Sequence, residues 1–297
     1  MTIGYNNSDA VTDLVENLNN LDYVADPAIA TSLHLARILE RPLLIEGRAG
    51  VGKTQIAATM SELLDTELIR LQCYEGLDVN AALYEWNYPK QLLWIRMNES
   101  GNLSPSEMET EIFGRQFLLE RPLLAALTKE KAPVLLIDEV DRADEEFEAF
   151  LLEILSEFQV TIPELGTIKA SNKPLVILTS NRTRDLSDAL RRRCLYLWVD
   201  YPELQKELQI VRKKVEGVSE QLARQVCEFV QATRTEGLGR NPGVSETLDW
   251  TTAMVALHMD YLDPEVVTQT VGTLIKDADD LNNFKKTTIE RIIQSIG

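Results

Sequence analysis

The stretch "GRAGVGKT", Gly47 to Thr54, directly follows the apolar run Leu43-Leu44-Ile45. No other feature narrows the possible folds as much. Its glycines, Gly47, Gly50 and Gly52, allow a tight turn and φ values that a Cβ forbids. Successive backbone N–H groups then converge on one anion, and a following helix directs its positive N-terminal end to the same point. On this reading Gly47, Ala49, Gly50, Val51, Gly52, Lys53, Thr54 and Gln55 surround the phosphates of a nucleotide. Lys53 reaches the β- and γ-phosphates, and the Thr54 hydroxyl binds Mg²⁺. The context agrees. Leu43 to Ile45 reads as a buried strand, and Ile56, Met60, Leu63 and Leu64 share one helical face after the loop.

Further apolar runs at 67–71, 134–137, 175–178 and 195–199 leave room for helices between them, the pattern of a parallel sheet covered on both faces. Asp26-Pro27 predicts a helix start, with Asp26 as N-cap, running to about Leu39. "QVTIPELGTIKA" (159–170) alternates apolar and polar residues about a Pro-Glu-Leu-Gly turn and predicts a β-hairpin. Residues 72–130 are longer than a simple crossover and hold an insertion over about 72–106, partly structured and partly exposed, with a polar turn at 98–106. Its tryptophans, Trp86 and Trp94, belong either to a packed subdomain or to a surface that meets a partner. From Tyr201 the strand signals stop. Helical patterns follow, including 246–259, 263–276 and 278–295. The predicted organisation is therefore 1–25, an N-terminal helical or linker segment; 26–200, an α/β nucleotide-binding domain; and 201–297, a helical domain.

A loop that grips phosphate does not by itself hydrolyse anything; a metal ligand, an activated water and positive charge on the transition state are also needed. "VLLIDEVDRA" (134–143) ends a buried strand in Asp138-Glu139, at the strand end where phosphates sit in such folds. Asp138 is the candidate second Mg²⁺ ligand, and Glu139 the candidate that orients or deprotonates water. "LVILTSNRT" (175–183) places Asn181 at the end of another buried strand, within reach of a γ-phosphate. "LSDALRRRC" carries Arg191-Arg192-Arg193. These three arginines are either a solvated cationic helix end or the source of an arginine finger for a neighbouring subunit.

Composition bounds the partners. The chain has 297 residues, with 30 Lys and Arg against 47 Asp and Glu, a formal charge of −17. A duplex-binding protein ordinarily shows a basic stripe, so nucleic acid is disfavoured; Lys90, Arg96, Lys169 and Arg182 are the residues that would have to supply a basic pore. No apolar run approaches a membrane span, and the first residues lack the blocks of a signal peptide. Three scattered cysteines and two histidines read as thiols of a reducing compartment rather than a disulfide or zinc framework. A cytoplasmic protein is expected.

Together these segments resemble an AAA+ ATPase of the MoxR group, most closely its CoxD-like branch for carbon monoxide dehydrogenase maturation. The resemblance runs from about residue 23 to 290. It rests on "IEGRAGVGKT", "RLQCYEGLD", "LLIDEVDRADEEFEAFLLEILSE", "QVTIPELGTIKA", "SNRTRDLSDALRRRCLYLWVDYP" and "PGVSETLDW". It implies a P-loop core with a five-stranded parallel sheet in the order 5-1-4-3-2, a helical lid, and a homo-hexameric ring using ATP and Mg²⁺. Lys53 and Thr54 match the first Walker motif, Asp138 and Glu139 the second, and Asn181 the first sensor. Arg193, then Arg192, match the trans finger, while Arg142 matches a family arginine at the interface. Tyr23 and Val24 fall where relatives place adenine. The group implies chaperone-like remodelling or metal-cofactor maturation of a client metalloenzyme, beside a von Willebrand factor A-domain partner. A nucleic-acid-linked motor of the same clade and a nucleotide-regulated binding module with little turnover are the alternatives. One departure stands out: Thr247 occupies the place where the wider group has a lid arginine, with Arg240 a few residues earlier.

Overall fold

Five buried or half-buried apolar segments become the strands of one sheet. They are β1 (Leu43–Gly47), β2 (Leu68–Gln72), β5 (Val134–Asp138), β8 (Leu175–Ser180) and β9 (Leu195–Val199). Four short strands, β3 (Tyr84–Trp86), β4 (Leu118–Glu120), β6 (Gln159–Ile162) and β7 (Gly166–Lys169), stand outside it. The computed structural model describes residues 7–98 and 104–296. The sheet runs β2-β5-β8-β1-β9, which is the predicted order 5-1-4-3-2 counted over its own strands. β1 pairs parallel with β8, β8 with β5, and β5 with β2. Helices intervene between successive strands, so β1, β5 and β8 are covered on both faces and read as continuous apolar runs.

The chain forms two compact units. One contains Pro27–Glu46 and Ala57–Leu197; the other contains Val15–Asp26, Gly47–Ile56 and the chain from Trp198 onward. The core of the first gathers Leu44, Leu71, Leu135, Ile137 and Leu178 of the sheet with Leu123, Leu127, Phe147 and Leu151 of the helices Pro122–Thr128 and Glu145–Glu157. The core of the second is helical, built from Leu222, Val226, Phe229, Trp250, Val267, Phe284 and Ile289.

The hairpin over 159–170 forms as β6 and β7, paired antiparallel from Gln159↔Lys169 to Ile162↔Gly166. Gly166 takes φ +76° in its turn. The insertion holds more structure than its sequence suggests. β3 finds its partner in β4, beyond residue 106. Trp86 is buried edge-on against Phe113 at 5.3 Å, and Trp94 meets Phe117 at 6.1 Å, so both tryptophans pack inward. The polar turn expected at 98–106 lies largely outside the described residues, as do the first six residues of the chain.

Two helical expectations need correction. The span 263–276 is a helix only over Pro264–Thr270, followed by a 3-10 turn. The span 278–295 is two helices, Ala278–Asn283 and Lys286–Ile296. Phe284 breaks them apart. It leaves the helical region at φ −81° and ψ 74°, and its buried ring stands edge-on to Phe229 at 6.3 Å. Burial of that ring outweighs helical continuity. Among the described residues no helix is long and apolar enough to cross a membrane.

Candidate active site

The phosphate loop leaves the end of β1 and enters the helix Lys53–Leu63. Gly50 and Gly52 take φ +72° and +88°, conformations open to glycine at little cost. Gly47 does not, which corrects the expectation for it. It is needed for space: a Cβ there would stand 1.9 Å from the Val199 carbonyl oxygen. Lys53 is buried, and its Nζ donates to the Gly47 and Arg48 carbonyls at 2.9 and 2.7 Å. The loop therefore curls around the ammonium. At Gly52 a Cβ would meet nothing within 4 Å, so this glycine serves its backbone angle and the space beside it stays open. Glycine amides, a lysine and the Thr54 hydroxyl form a donor set that fits a polyphosphate. In the same unit, Tyr23 and Val24 sit in the turn after the helix Asn7–Asn20. Val24 is buried, and burial with the nearby Asp26 charge holds the Tyr23 hydroxyl well above its ordinary pKa.

The other unit assembles the carboxylates. Asp138 is 2% exposed at the end of β5. The Thr179 hydroxyl donates to its Oδ1 at 2.5 Å, and Arg70 pairs with its Oδ2 at 2.6 Å. The same Thr179 oxygen accepts the Glu139 N–H at 2.9 Å. Glu139 stands at φ +54°, a left-handed conformation that costs a non-glycine residue energy and clusters at functional sites. Its carboxylate receives Asn181 Nδ2 at 3.3 Å, Gln72 Nε2 at 3.1 Å and Arg142 at 3.1 Å. Asn181 is held in turn through its backbone, because its N–H lies 3.2 Å from both oxygens of the buried Asp141. Asp141 also accepts the Thr183 N–H and hydroxyl at 2.8 Å. Asp138, Glu139 and Asn181 are thus brought together. This group of oxygens suits a hard divalent cation and an attacking water. Cys73, beside it, has its thiol pushed up to about 12 by burial first and by Asp138, Asp141 and Glu139 next.

Thr179, Asp141, Arg70 and Gln72 were not singled out from the sequence. A signal existed for the last two. β2 is an edge strand, and polar residues at alternate positions of such a strand project to one side.

The three arginines diverge. Arg191 turns toward Glu46 and Asp185, at 3.7 and 3.5 Å. Arg193 donates from Nε to Ser156 Oγ at 2.6 Å and from NH1 to the Ala189 carbonyl at 3.1 Å. Arg192 is exposed, and its guanidinium has no partner among the described residues.

Within the helical unit, Thr247 is fully buried and its hydroxyl donates to Glu207 at 2.8 Å. Arg234 pairs with both oxygens of Glu207 at 2.7 Å and lies over the Tyr201 ring, 4.6 Å from its centre. Thr247 therefore faces inward. Contact with the phosphate loop is made by backbone instead, since the Ser245 N–H donates to the Gly50 carbonyl at 3.1 Å.

The profile of the AAA domain (dynein-related subfamily) matches residues 42–194. An uncharacterized protein of Staphylococcus epidermidis is 26% identical over 203 residues, covering 66% of this chain and 70% of the relative. One of Staphylococcus aureus is 27% identical over 203 residues, with the same shares. Among solved structures, the RuvB Holliday junction branch migration motor of Thermotoga maritima aligns at 18% identity and a TM-score of 0.47, covering 94% of this chain and 76% of that one.

Proposed function

Since the chain belongs to the AAA domain family, dynein-related subfamily, it is an AAA+ ATPase, and we propose that it is a MoxR-type, CoxD-like member. In this reading it hydrolyses Mg·ATP within a homo-hexamer, in the cytoplasm, to remodel a client metalloenzyme or mature its metal cofactor, together with a von Willebrand factor A-domain partner. Residues 26–200 form its nucleotide-binding domain and 201–297 its lid.

The observation that carries the hydrolytic reading is the joint anchoring of Asp138 and Glu139 by one hydroxyl, Thr179. That arrangement fixes two carboxylates with different tasks. Asp138 and Thr54 hold the metal, and Glu139, steadied by Asn181, orients the attacking water. Mg²⁺ held there would offset the negative charge that develops on the transferred phosphate. The loop amides of Gly47 to Thr54 and the Lys53 ammonium hold the phosphate chain. Gln55 follows them, and Tyr23 and Val24 contact adenine. Positive charge on the transition state comes from a neighbouring copy. Arg192 is the better-presented finger, because Arg193 is already held by Ser156 and Ala189. The assignment to the MoxR group rests on the sequence segments from "RLQCYEGLD" to "SNRTRDLSDALRRRC".

The test is Mg·ATP hydrolysis per subunit as a function of protein concentration. Specific activity should rise steeply and level off as rings complete the sites. Lys53→Ala should abolish ATP binding, and Glu139→Gln should retain binding while losing turnover. A parent that binds ATP but turns over no faster than Glu139→Gln is a binding module, and the proposal is then wrong.

A further inference from the structure

Glu46 ends the first unit's share of β1 and is the residue before the phosphate loop. Its side chain is fully buried. The Ser180 hydroxyl donates to its Oε1 at 3.3 Å, Arg191 stands 3.7 Å from the same oxygen, and Arg182 stands 4.0 Å from Oε2. Burial first, then the Glu46 charge and a hydrogen bond to that carboxylate, push the Tyr196 hydroxyl upward. Oε2 receives no hydrogen bond, and neither does Arg191 Nε make one. Buried carboxylates ordinarily fill their lone pairs. Here the charge is balanced by two guanidiniums held just outside hydrogen-bond distance, an arrangement with room to tighten.

Each partner belongs to a different part of the machinery. Ser180 and Arg182 flank Asn181. Arg191 precedes Arg192 and Arg193 on the helix Asp188–Arg193. That helix is capped by Ser187, whose N–H donates to the buried Glu148 at 2.9 Å. Residues on a helix step by about 100°. Fixing buried Leu190 and Arg191 inward therefore turns Arg192 and Arg193 outward, and both are exposed.

We propose that Glu46 is a positioning residue for catalysis in trans: through Arg191 it orients Arg192 and Arg193, and so ties the start of one subunit's phosphate loop to the finger it presents to the next. The inference rests on the reading above that these arginines complete a neighbour's site. Glu46 itself touches no reacting atom. Tightening or loosening of the Glu46–Arg191 pair rotates the short helix and with it the finger.

The experiment uses Glu46→Gln, which keeps the side chain's size and removes its charge. Misplacing a catalytic group by about 1 Å can cost about 10²-fold in rate, so a fall in kcat of that order is expected with KM for ATP little changed. Mixing Glu46→Gln with Glu139→Gln subunits should restore turnover, because the first keeps its own site and the second keeps its finger. The control mixes an Arg192→Ala/Arg193→Ala double variant with Glu139→Gln. If the control regains activity and the Glu46→Gln mixture does not, Glu46 serves only its own site and the inference is overturned. If the control also stays inactive, the trans reading fails first and the inference falls with it. Should Glu46→Gln not fold, Arg191→Gln tests the pair from the other side, since it removes the cation that faces Glu46. The same loss of kcat and the same rescue are expected, and an unchanged kcat overturns the proposal.

Discussion

Gly243 lies so close to Gly50 that a Cβ on Gly243 would stand 2.8 Å from the Gly50 Cα and 2.7 Å from the Ala49 carbonyl oxygen. Gly243 has φ −85° and ψ −176°, which any residue tolerates, so the requirement is for space alone. Gly243→Ala should therefore force the start of the helix Val244–Ala256 off the phosphate loop. Overpacking of this kind costs about 1–3 kcal/mol. A lowered melting temperature and weaker binding of a fluorescent ATP analogue are expected together. A variant that melts and binds like the parent would show that this contact does not bear on the loop.

Thr179→Val keeps the shape of the side chain and removes the hydroxyl shared by Asp138 and Glu139. The buried Asp138 carboxylate and the part-buried Glu139 N–H lose a partner, at a cost of about 1–3 kcal/mol. ATP binding should persist while kcat falls, because the loop is untouched and the carboxylates are no longer aligned. Steady-state kinetics with a binding assay checks this. An unaltered kcat would mean that neither carboxylate depends on Thr179.

Glu207→Ala should destabilise the helical unit strongly. The Arg234–Glu207 pair is 7% and 0% exposed, and removing one member of such a pair costs about 3–5 kcal/mol by leaving the other buried without compensation. Thr247 and Gln231 lose an acceptor as well. Urea unfolding should show the drop. Glu207→Gln, which retains one acceptor oxygen, should lose less.

The three cysteines should resist alkylation in the folded chain. Cys73, Cys194 and Cys227 are buried free thiols, each raised by burial from 9.0 to about 12. The reactive species is the thiolate, which exists in the unfolded chain from pH 9.0 upward but in the folded one only near 12. The folded state then binds more protons, so this contribution to stability is complete below the lower value and is lost as pH rises toward the upper one. Thiol titration at about pH 8 should find all three only after denaturation. Melting temperatures should fall on the alkaline side.

The sequence alone determined the elements whose physics is local. The glycine loop, the apolar runs of β1, β5 and β8, and the hairpin turn at Gly166 declare themselves through backbone freedom and periodicity, which neighbours in the chain control. From those, the strand-end positions of Asp138, Glu139 and Asn181 followed. What only the tertiary structure decided depends on residues far apart in the chain. Gly47 is a glycine because β9 passes beside it. Thr179 and Asp141 become anchors only when β5 and β8 lie side by side. Thr247 turns inward because Glu207 and Arg234, 40 and 13 positions away, bury a charge that needs its hydroxyl. Among three adjacent arginines, identical as letters, packing alone separates the one bound to Glu46 from the one left open to solvent. Hydrogen-bond partners and close approaches are properties of the folded neighbourhood, and no window of sequence contains them.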